Sequence, residues 1–358
     1  MWAKQFSEFY RNKRVLITGH TGFKGAWLAT VLQEYGGEVL GLALPPDTPD
    51  SLFEVAGLSQ SLQHVEGDIT EPDVVAKVFR DFQPEVVFHM AAQSLVRRSY
   101  DQPVETFQTN VMGSIHILEA IRTCQTVRSV IFVTSDKCYK NKEWDYGYRE
   151  VDELGGKDPY SASKAAAEIV FASWCHSFFN QRPSLGISTV RAGNVLGGGD
   201  QAVDRIVPDC IRSLIRNEDI TIRNPVATRP WQHVLEPIRG YMLLAARQYE
   251  EPQTFSGPWN FGPTVTSNRP VADLVDRIIS NWGSGRAVHP EAKGPQNHEA
   301  GLLHINCDKA ALRLNWLPRW DFADTIRETV HWYKEVHNGG SPLDVTKAQI
   351  AKYMESPS

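Results

Sequence analysis

Tyr160 and Lys164 stand four residues apart, one helical turn, so on a helix they share a face. A lysine ammonium held there can lower the pKa of the phenol and make the phenolate a usable base near neutral pH. Among the eleven tyrosines only Tyr160 has a lysine four residues on. The pair opens a helical stretch about 25 residues after a β-branched run that ends Thr134-Ser135-Asp136-Lys137. Ligands bind at the carboxyl ends of parallel strands, so Ser135, Asp136 and Lys137 are expected to face the same crevice as Tyr160. A hydroxyl, a carboxylic acid and an amine beside a tyrosine-lysine pair suit acid-base work. Each has a plainer reading: Ser135 or Asp136 as turn residues, Lys137 as one of a solvated basic run with Lys140 and Lys142.

A second constellation lies at the start of the chain. VLITGHTGFKGAWLATVL puts Gly19, Gly22 and Gly25 between a strand and a helix, where backbone amides can approach a dinucleotide pyrophosphate without a Cβ in the way. His20 and Lys24 interrupt this loop with larger, basic side chains. The second strand ends in Ala43-Leu44 and a Pro-Pro turn, with Asp47 beyond it, so the acid that usually grips the adenosine ribose is missing. Asp68, in GDIT, is positioned either to contact the adenine or to cap the helix near Pro72.

These residues need a scaffold, and residues 14–191 supply one. Short β-branched runs alternate with amphipathic stretches, the pattern of repeated βαβ units around a parallel sheet. The spacing predicts strands at Val15–Thr18, Val39–Ala43, Gln63–Val65, Val86–His89, Val130–Thr134 and Ile187–Arg191. It predicts helices at Phe23–Tyr35, Pro72–Phe82, Pro103–Cys124 and Ser161–Phe179. After Arg191 the texture changes to Gly-, Pro- and Asn-rich turns, which predicts a smaller second lobe interleaved with the first. The division is 1–190 for the cofactor lobe and 191–358 for a mainly substrate-binding lobe, with some segments returning to the first. The tail after Gly339 reads as a terminal helix prone to fray. Trp231 and Trp259 read as packing residues, and Arg191 and Arg205 fit either a phosphate contact or an ion pair.

The 358 residues, 42% hydrophobic and 22% charged, describe a globular chain with a large core. A formal net charge of -5 offers no general attraction to nucleic acid or anionic membrane. No segment approaches the roughly 20 apolar residues of a membrane helix, and the start lacks a signal-peptide core. Cys124, Cys138, Cys175, Cys210 and Cys307 are scattered without metal-ligand spacing, which points to a reduced cytoplasm and no structural metal.

The motifs TGHTGFKG, GDIT, FHMAAQSLV, Asn110-Val111-Met112-Gly113, VTSDK, Tyr160 with Lys164, and RPWQHV together resemble the extended short-chain dehydrogenase/reductase family across nearly the whole chain. Within it the chain is similar to the nucleotide-sugar 4,6-dehydratases. The resemblance implies an α/β Rossmann-type doubly wound sheet, an NAD recycled within each turnover, and a homodimer built on paired helices. It implies a hydro-lyase that oxidises a CDP-linked glucose at carbon 4, eliminates water across carbons 5 and 6, and feeds deoxysugar synthesis for a surface polysaccharide such as an O-antigen. Residue by residue it assigns Ser135, Asp136, Lys137, Tyr160 and Lys164 to catalysis. To NAD it assigns Gly19, His20, Gly22, Phe23, Lys24, Gly25, Asp68, Ile69 and Ala91, with Tyr160 and Lys164, and to the sugar nucleotide Ser94, Asn194, Arg229 and His298. One departure stands out: relatives usually carry glutamate where this chain has Lys137. That lysine must therefore be either the base at carbon 5 or a cation that stabilises the enolate. A nucleotide-sugar 4-epimerase is the rival activity, and a non-catalytic dinucleotide sensor the rival of another class.

Overall fold

A computed structural model describes residues 2–203, 205–222, 224–288 and 302–356. Seven parallel strands form its central sheet: β1 (Arg14–Thr18), β2 (Glu38–Ala43), β3 (Gln63–Glu66), β4 (Val86–His89), β5 (Ser129–Val133), β6 (Gly186–Arg191) and β7 (Trp259–Asn260). Their spatial order is β7-β6-β5-β4-β1-β2-β3, so the chain reverses its direction of travel between β1 and β4. That reversal opens a crevice at the carboxyl ends of the strands, the doubly wound arrangement expected from the sequence.

Side chains alternate across the sheet, which is why two separate cores form. Val15, Ile17, Val86, Phe88 and Ile131 pack on one face with α1 (Trp2–Tyr10), α2 (Phe23–Glu34) and α6 (Leu235–Glu250). Leu16, Val87, Val130 and Phe132 pack on the other with α3 (Pro72–Phe82), α4 (Ser114–Thr123) and α5 (Pro159–Trp174). Fully burying such a side chain is worth about 1.5–3 kcal/mol, so a one-residue slip in any central strand would be heavily penalised. The observed registers, Thr18 beside His89 and Val133 beside Val190, align the strand ends in one row.

Several expectations need correction. The helix expected over Pro103–Cys124 is broken into Pro103–Phe107, a π-helical turn at Gln108–Gly113, and α4. The wide turn turns the Asn110 side chain inward, where it accepts from the Gln93 amide at 2.9 Å and donates to Ser163 Oγ at 2.9 Å. The helix expected from Ser161 starts at Pro159, because Asp158 caps it by accepting from the Ser161 amide at 2.9 Å. Its last turn, Cys175–Phe179, is again π-helical. The terminal helix is packed into the core: α7 (Pro342–Glu355) buries Ile350 and Tyr353, and the Tyr353 hydroxyl donates to buried Glu236 at 2.5 Å. α1 and the last sheet strand, β7, were not foreseen. Trp231 and Trp259 are buried packing residues.

Among the described residues, three imidazoles lie inside this fold: His20, His89 and His233. Burial lowers them to about 4, about 3 and about 3. Their folded values lie below the unfolded one, so the unfolded chain takes up the extra protons as pH falls. The stability they contribute is complete above about 6.5 and is lost toward pH 4 and 3, on the order of 3 kcal/mol for His20 and about 5 for each of the other two. Thermal melts are expected to show a falling Tm between pH 7 and 5, with a shallower fall in His20→Phe. A variant as steep as the parent would contradict the assignment to His20.

Candidate active site

The row of strand ends gathers the chemistry. After β1 the chain turns through Gly19, whose φ of +78° and close approach to Ala91 exclude other residues: an added Cβ would lie 2.7 Å from the Ala91 amide nitrogen. Thr18 Oγ1 fixes the opposite wall by accepting from the amides of Met90 at 3.1 Å and Ala91 at 3.2 Å. Gly22 caps α2 with no side-chain bond, and a Cβ on Gly25 would collide with the Gly19 carbonyl. No acid stands in the first turn of α2, so its free amides and positive dipole end face the crevice. This loop fits a dinucleotide pyrophosphate, as the glycine spacing predicts.

Its larger side chains go elsewhere. Phe23 packs toward Gly197, beyond β6. The His20 ring lies over Gly41 of β2, where any Cβ would collide with it, and contacts Phe53 and His64 at 5.2 and 5.6 Å between centroids. Lys24 reaches past the loop to within 5.9 Å of the Tyr241 ring centre, into the field of Arg205, Lys164 and Asp136. Burial pushes its ammonium down to about 8.

Asp68 is not the cap of α3. Its Oδ1 accepts from the Thr70 amide at 2.8 Å, forming a local turn, while Glu71 holds the capping position. Ile69 turns into the core against Gly113, and His116 Nδ1 lies 3.0 Å from its carbonyl oxygen.

At the end of β5, Ser135 accepts from the Lys137 amide at 3.2 Å and donates to Asp136 Oδ1 at 3.1 Å. Ser135 also lies close enough to the Tyr160 phenol to favour its ionised form. Asp136 is buried, and burial raises its carboxyl above the usual range despite Lys137, Ser135 and Arg229 nearby. Gly193 makes room for it: a Cβ there would stand 3.0 Å from Asp136 Oδ2. Lys137 is half-buried beside Asp136. The basic run does not hold together, because Lys140 and Lys142 both pair with Glu153, at 2.6 and 3.6 Å.

Tyr160 and Lys164 are both buried on α5, facing this turn. The Tyr160 amide donates to Ser99 Oγ at 3.2 Å, which ties the helix start to the segment after β4. The electrostatics differ from the sequence expectation. Burial is the largest influence on the phenol and pushes it up to about 12, with Ser135 and Arg205 pulling it back. Burial also pushes Lys164 down to about 8. In the free protein the phenol therefore holds its proton at neutral pH.

The chain after β6 brings further groups. Arg229 sits on Thr228–Pro230, paired with Asn268–Pro270, and its charge reaches Asp136. Asn194 is half-buried between β6 and the short strand Val195–Leu196. Ser94 is exposed, with Arg205 Nη2 3.5 Å from its Oγ. Arg205 is also ion-paired with Asp200 at 2.9 Å, and Arg191 with Glu168 at 2.8 Å. His298 lies outside the described residues. Sequence reasoning passed over Ser99, Gly193 and Glu168, and named Asn110 only as part of a motif. Only Glu168 carried a spacing signal, as the next step in the series 160, 164, 168.

Comparison with known proteins accords with this geometry. A family model described as GDP-mannose 4,6 dehydratase matches residues 16–329. A CDP-glucose 4,6-dehydratase of Salmonella typhimurium is 45% identical over 352 residues, 97% of this chain and 98% of the relative. A human GDP-mannose 4,6 dehydratase is 25% identical over 88% of this chain and 90% of its own. Among solved structures, an epimerase from Methanothermobacter thermautotrophicus superposes with a TM-score of 0.79 at 22% identity, covering 98% of both chains. A dTDP-glucose 4,6-dehydratase from Streptomyces venezuelae, solved with NAD and TYD bound, gives 0.75 at 23% identity, covering 92% of this chain and 99% of that one. At those identities the structures speak for the fold, and the family rests on sequence: a glycine-loop sheet with Tyr160 and Lys164 beside its crevice, matched along most of its length, belongs to the GDP-mannose 4,6 dehydratase family.

Proposed function

We propose that the chain is an NAD-dependent hydro-lyase that converts CDP-D-glucose to CDP-4-keto-6-deoxy-D-glucose. The observation that carries this is the 45% identity to a CDP-glucose 4,6-dehydratase, which runs almost end to end in both proteins. Gly19, Gly22, Gly25 and the start of α2 hold the cofactor pyrophosphate, the backbone of His20, Phe23 and Lys24 completes that loop, and Asp68, Ile69 and Ala91 flank other parts of the cofactor. Bound NAD supplies a hydride acceptor and donor, so hydride leaves sugar carbon 4 and returns to carbon 6. Tyr160, as phenolate, takes the proton of the carbon 4 hydroxyl while Ser135 hydrogen-bonds that oxygen and Lys164 supplies positive charge. The ketone acidifies the neighbouring carbon 5 proton. Asp136, whose raised pKa favours the protonated form, gives its proton to the departing carbon 6 hydroxyl. Lys137 either removes the carbon 5 proton as a neutral amine or stabilises the enolate as an ammonium. Ser94, Asn194, Arg229 and His298 hold the sugar nucleotide, residues 191–358 forming most of that lobe and 1–190 most of the cofactor lobe.

The test is incubation of the purified protein with NAD and, separately, CDP-, dTDP-, UDP- and GDP-hexoses, followed by mass spectrometry. Loss of one water from CDP-glucose alone is the expected result. Interconversion without mass change would replace this reading with a 4-epimerase, and no turnover of any sugar with NAD bound would leave a dinucleotide sensor.

The protein works as a homodimer in the cytoplasm, in a step toward deoxysugars for a surface polysaccharide. Support for the dimer comes from large apolar side chains left exposed on two neighbouring helical segments: Val104, Phe107 and Met112 on Pro103–Gly113, Ile169 and Phe178 on α5 and its π-helical last turn. Such a patch is self-complementary about a two-fold axis. Met112→Asp with Ile169→Asp is expected to convert a dimer to a monomer by light scattering, and an unchanged mass would remove these helices from the interface. Support for the cytoplasm is that all five cysteines are free.

A further inference from the structure

Tyr160, Lys164 and Glu168 recur at one-turn intervals along α5, and the third is bound more tightly than the first two. Glu168 is buried and its carboxylate is fully engaged. Thr134 Oγ1 donates to Oε1 at 2.5 Å and Thr189 Oγ1 to Oε2 at 2.9 Å. Arg191 closes a fork on it, Nε to Oε1 and Nη2 to Oε2, both at 2.8 Å. Thr134 immediately precedes Ser135, while Thr189 and Arg191 end β6. Arg191 extends the chain of bonds, donating from Nη1 to the Tyr139 hydroxyl at 2.8 Å and to the Glu150 carbonyl at 3.1 Å. The Tyr139 hydroxyl in turn donates to Asn260 Oδ1 on β7 at 2.8 Å.

Stability alone is a poor reason to keep such a pair. A buried ion pair can often be replaced by apolar side chains of similar volume at no loss, because desolvating both charges offsets their attraction. A place and a charge are what an apolar replacement could not supply.

We propose that Glu168 is a positioning residue for the reaction: it bolts the catalytic helix to the ends of β5 and β6 and sets a negative charge one turn behind Lys164, keeping that lysine an ammonium in the working site. The inference rests on Tyr160 and Lys164 being the reacting pair. The groups facing Lys164 leave Glu168 as its counter-charge. Cys138, on the turn after β5, is a thiol pushed well up by burial and stays uncharged. His89 of β4 is held near 3 and is neutral, and Lys24 of α2 adds repulsion. Burial works to deprotonate Lys164, and Glu168 works against it.

The experiment is the pH profile of kcat for water loss from CDP-glucose in the full-length protein with NAD. In Glu168→Gln the alkaline limb is expected to move down by roughly one pH unit, since an opposite charge at close range has been removed. In Arg191→Met the limb is expected not to move down, because the carboxylate stays. A limb that keeps its place in Glu168→Gln, with kcat lowered equally in both variants, would overturn the proposal and leave only a structural bolt. If Glu168→Gln does not fold, with Arg191 left buried and unpaired, two further variants decide. The double variant Glu168→Gln/Arg191→Met is expected to fold and to show the lowered limb, while Glu168→Asp, which retains the charge, is expected to keep the parent limb. A double variant with the parent limb would overturn the proposal. Full turnover in Tyr160→Phe would instead remove the reading on which it rests.

Discussion

Tyr160→Phe is expected to lower kcat for dehydration by roughly 10³-fold, the usual scale for losing a positioned general base. The change should leave the fold alone. The Tyr160 backbone stays tied to Ser99 and Ser163, at 3.2 and 2.7 Å, and the side chain gives up one hydroxyl near Ser135. Binding of NAD and the thermal midpoint should therefore stay near the parent values while turnover collapses. Loss is also expected to begin before any water leaves: no reduced cofactor should accumulate on mixing with CDP-glucose, because the first oxidation already needs the base. A variant that reduces the cofactor at the parent rate but fails to release water would move Tyr160 to a later step. The phenol sits near 12 in the free protein, so its deprotonation must accompany filling of the crevice. Arg205 and Lys164 are the cations on hand to favour it.

Asp136→Asn should give the opposite signature. Its proton is needed only when the carbon 6 hydroxyl departs, so the first oxidation should survive while water loss falls by roughly 10²- to 10⁴-fold. Reduced cofactor should then build up, visible by its absorbance, together with a keto sugar two hydrogens lighter than the substrate that has kept its carbon 6 hydroxyl. Loss of both steps together would mean that Asp136 orients Ser135, to which it is bonded at 3.1 Å, rather than acting as the acid. The same assay divides the two roles of Lys137. If Lys137 is the base, Lys137→Met should abolish exchange of the carbon 5 proton with deuterated solvent. If it stabilises the enolate, exchange should be slowed yet persist.

Much of the scaffold was legible because the sheet is buried on both faces. Apolar β-branched runs such as Val86–His89 leave no other place to go, and β1 to β6 fall within a residue or so of their expected limits. The glycine loop and the Tyr160–Lys164 spacing were legible because local geometry sets them. What stayed hidden depends on contacts distant in sequence. β7 is two residues long and exists through pairing with β6, which no periodicity records. The π-helical turn at Asn110 is set by Gln93 and Ser163, which bond its side chain from two other elements. Spacing suggested that Lys164 would govern Tyr160, yet burial dominates both residues, and burial is a property of the assembled fold.

The late arrival of β7 bears on how the chain is made. β6 is complete at Arg191, and the strand that covers its outer side arrives some 70 residues afterwards, at Trp259. At roughly 5–20 residues per second, a ribosome takes several seconds over that interval. Throughout it, a strand with every residue destined for the interior exposes unpaired backbone groups along its outer edge. The nascent protein is therefore most prone to aggregate while residues 192–259 are being made. Slowing elongation between codons 192 and 259 should lower the soluble yield more than the same delay placed after codon 260.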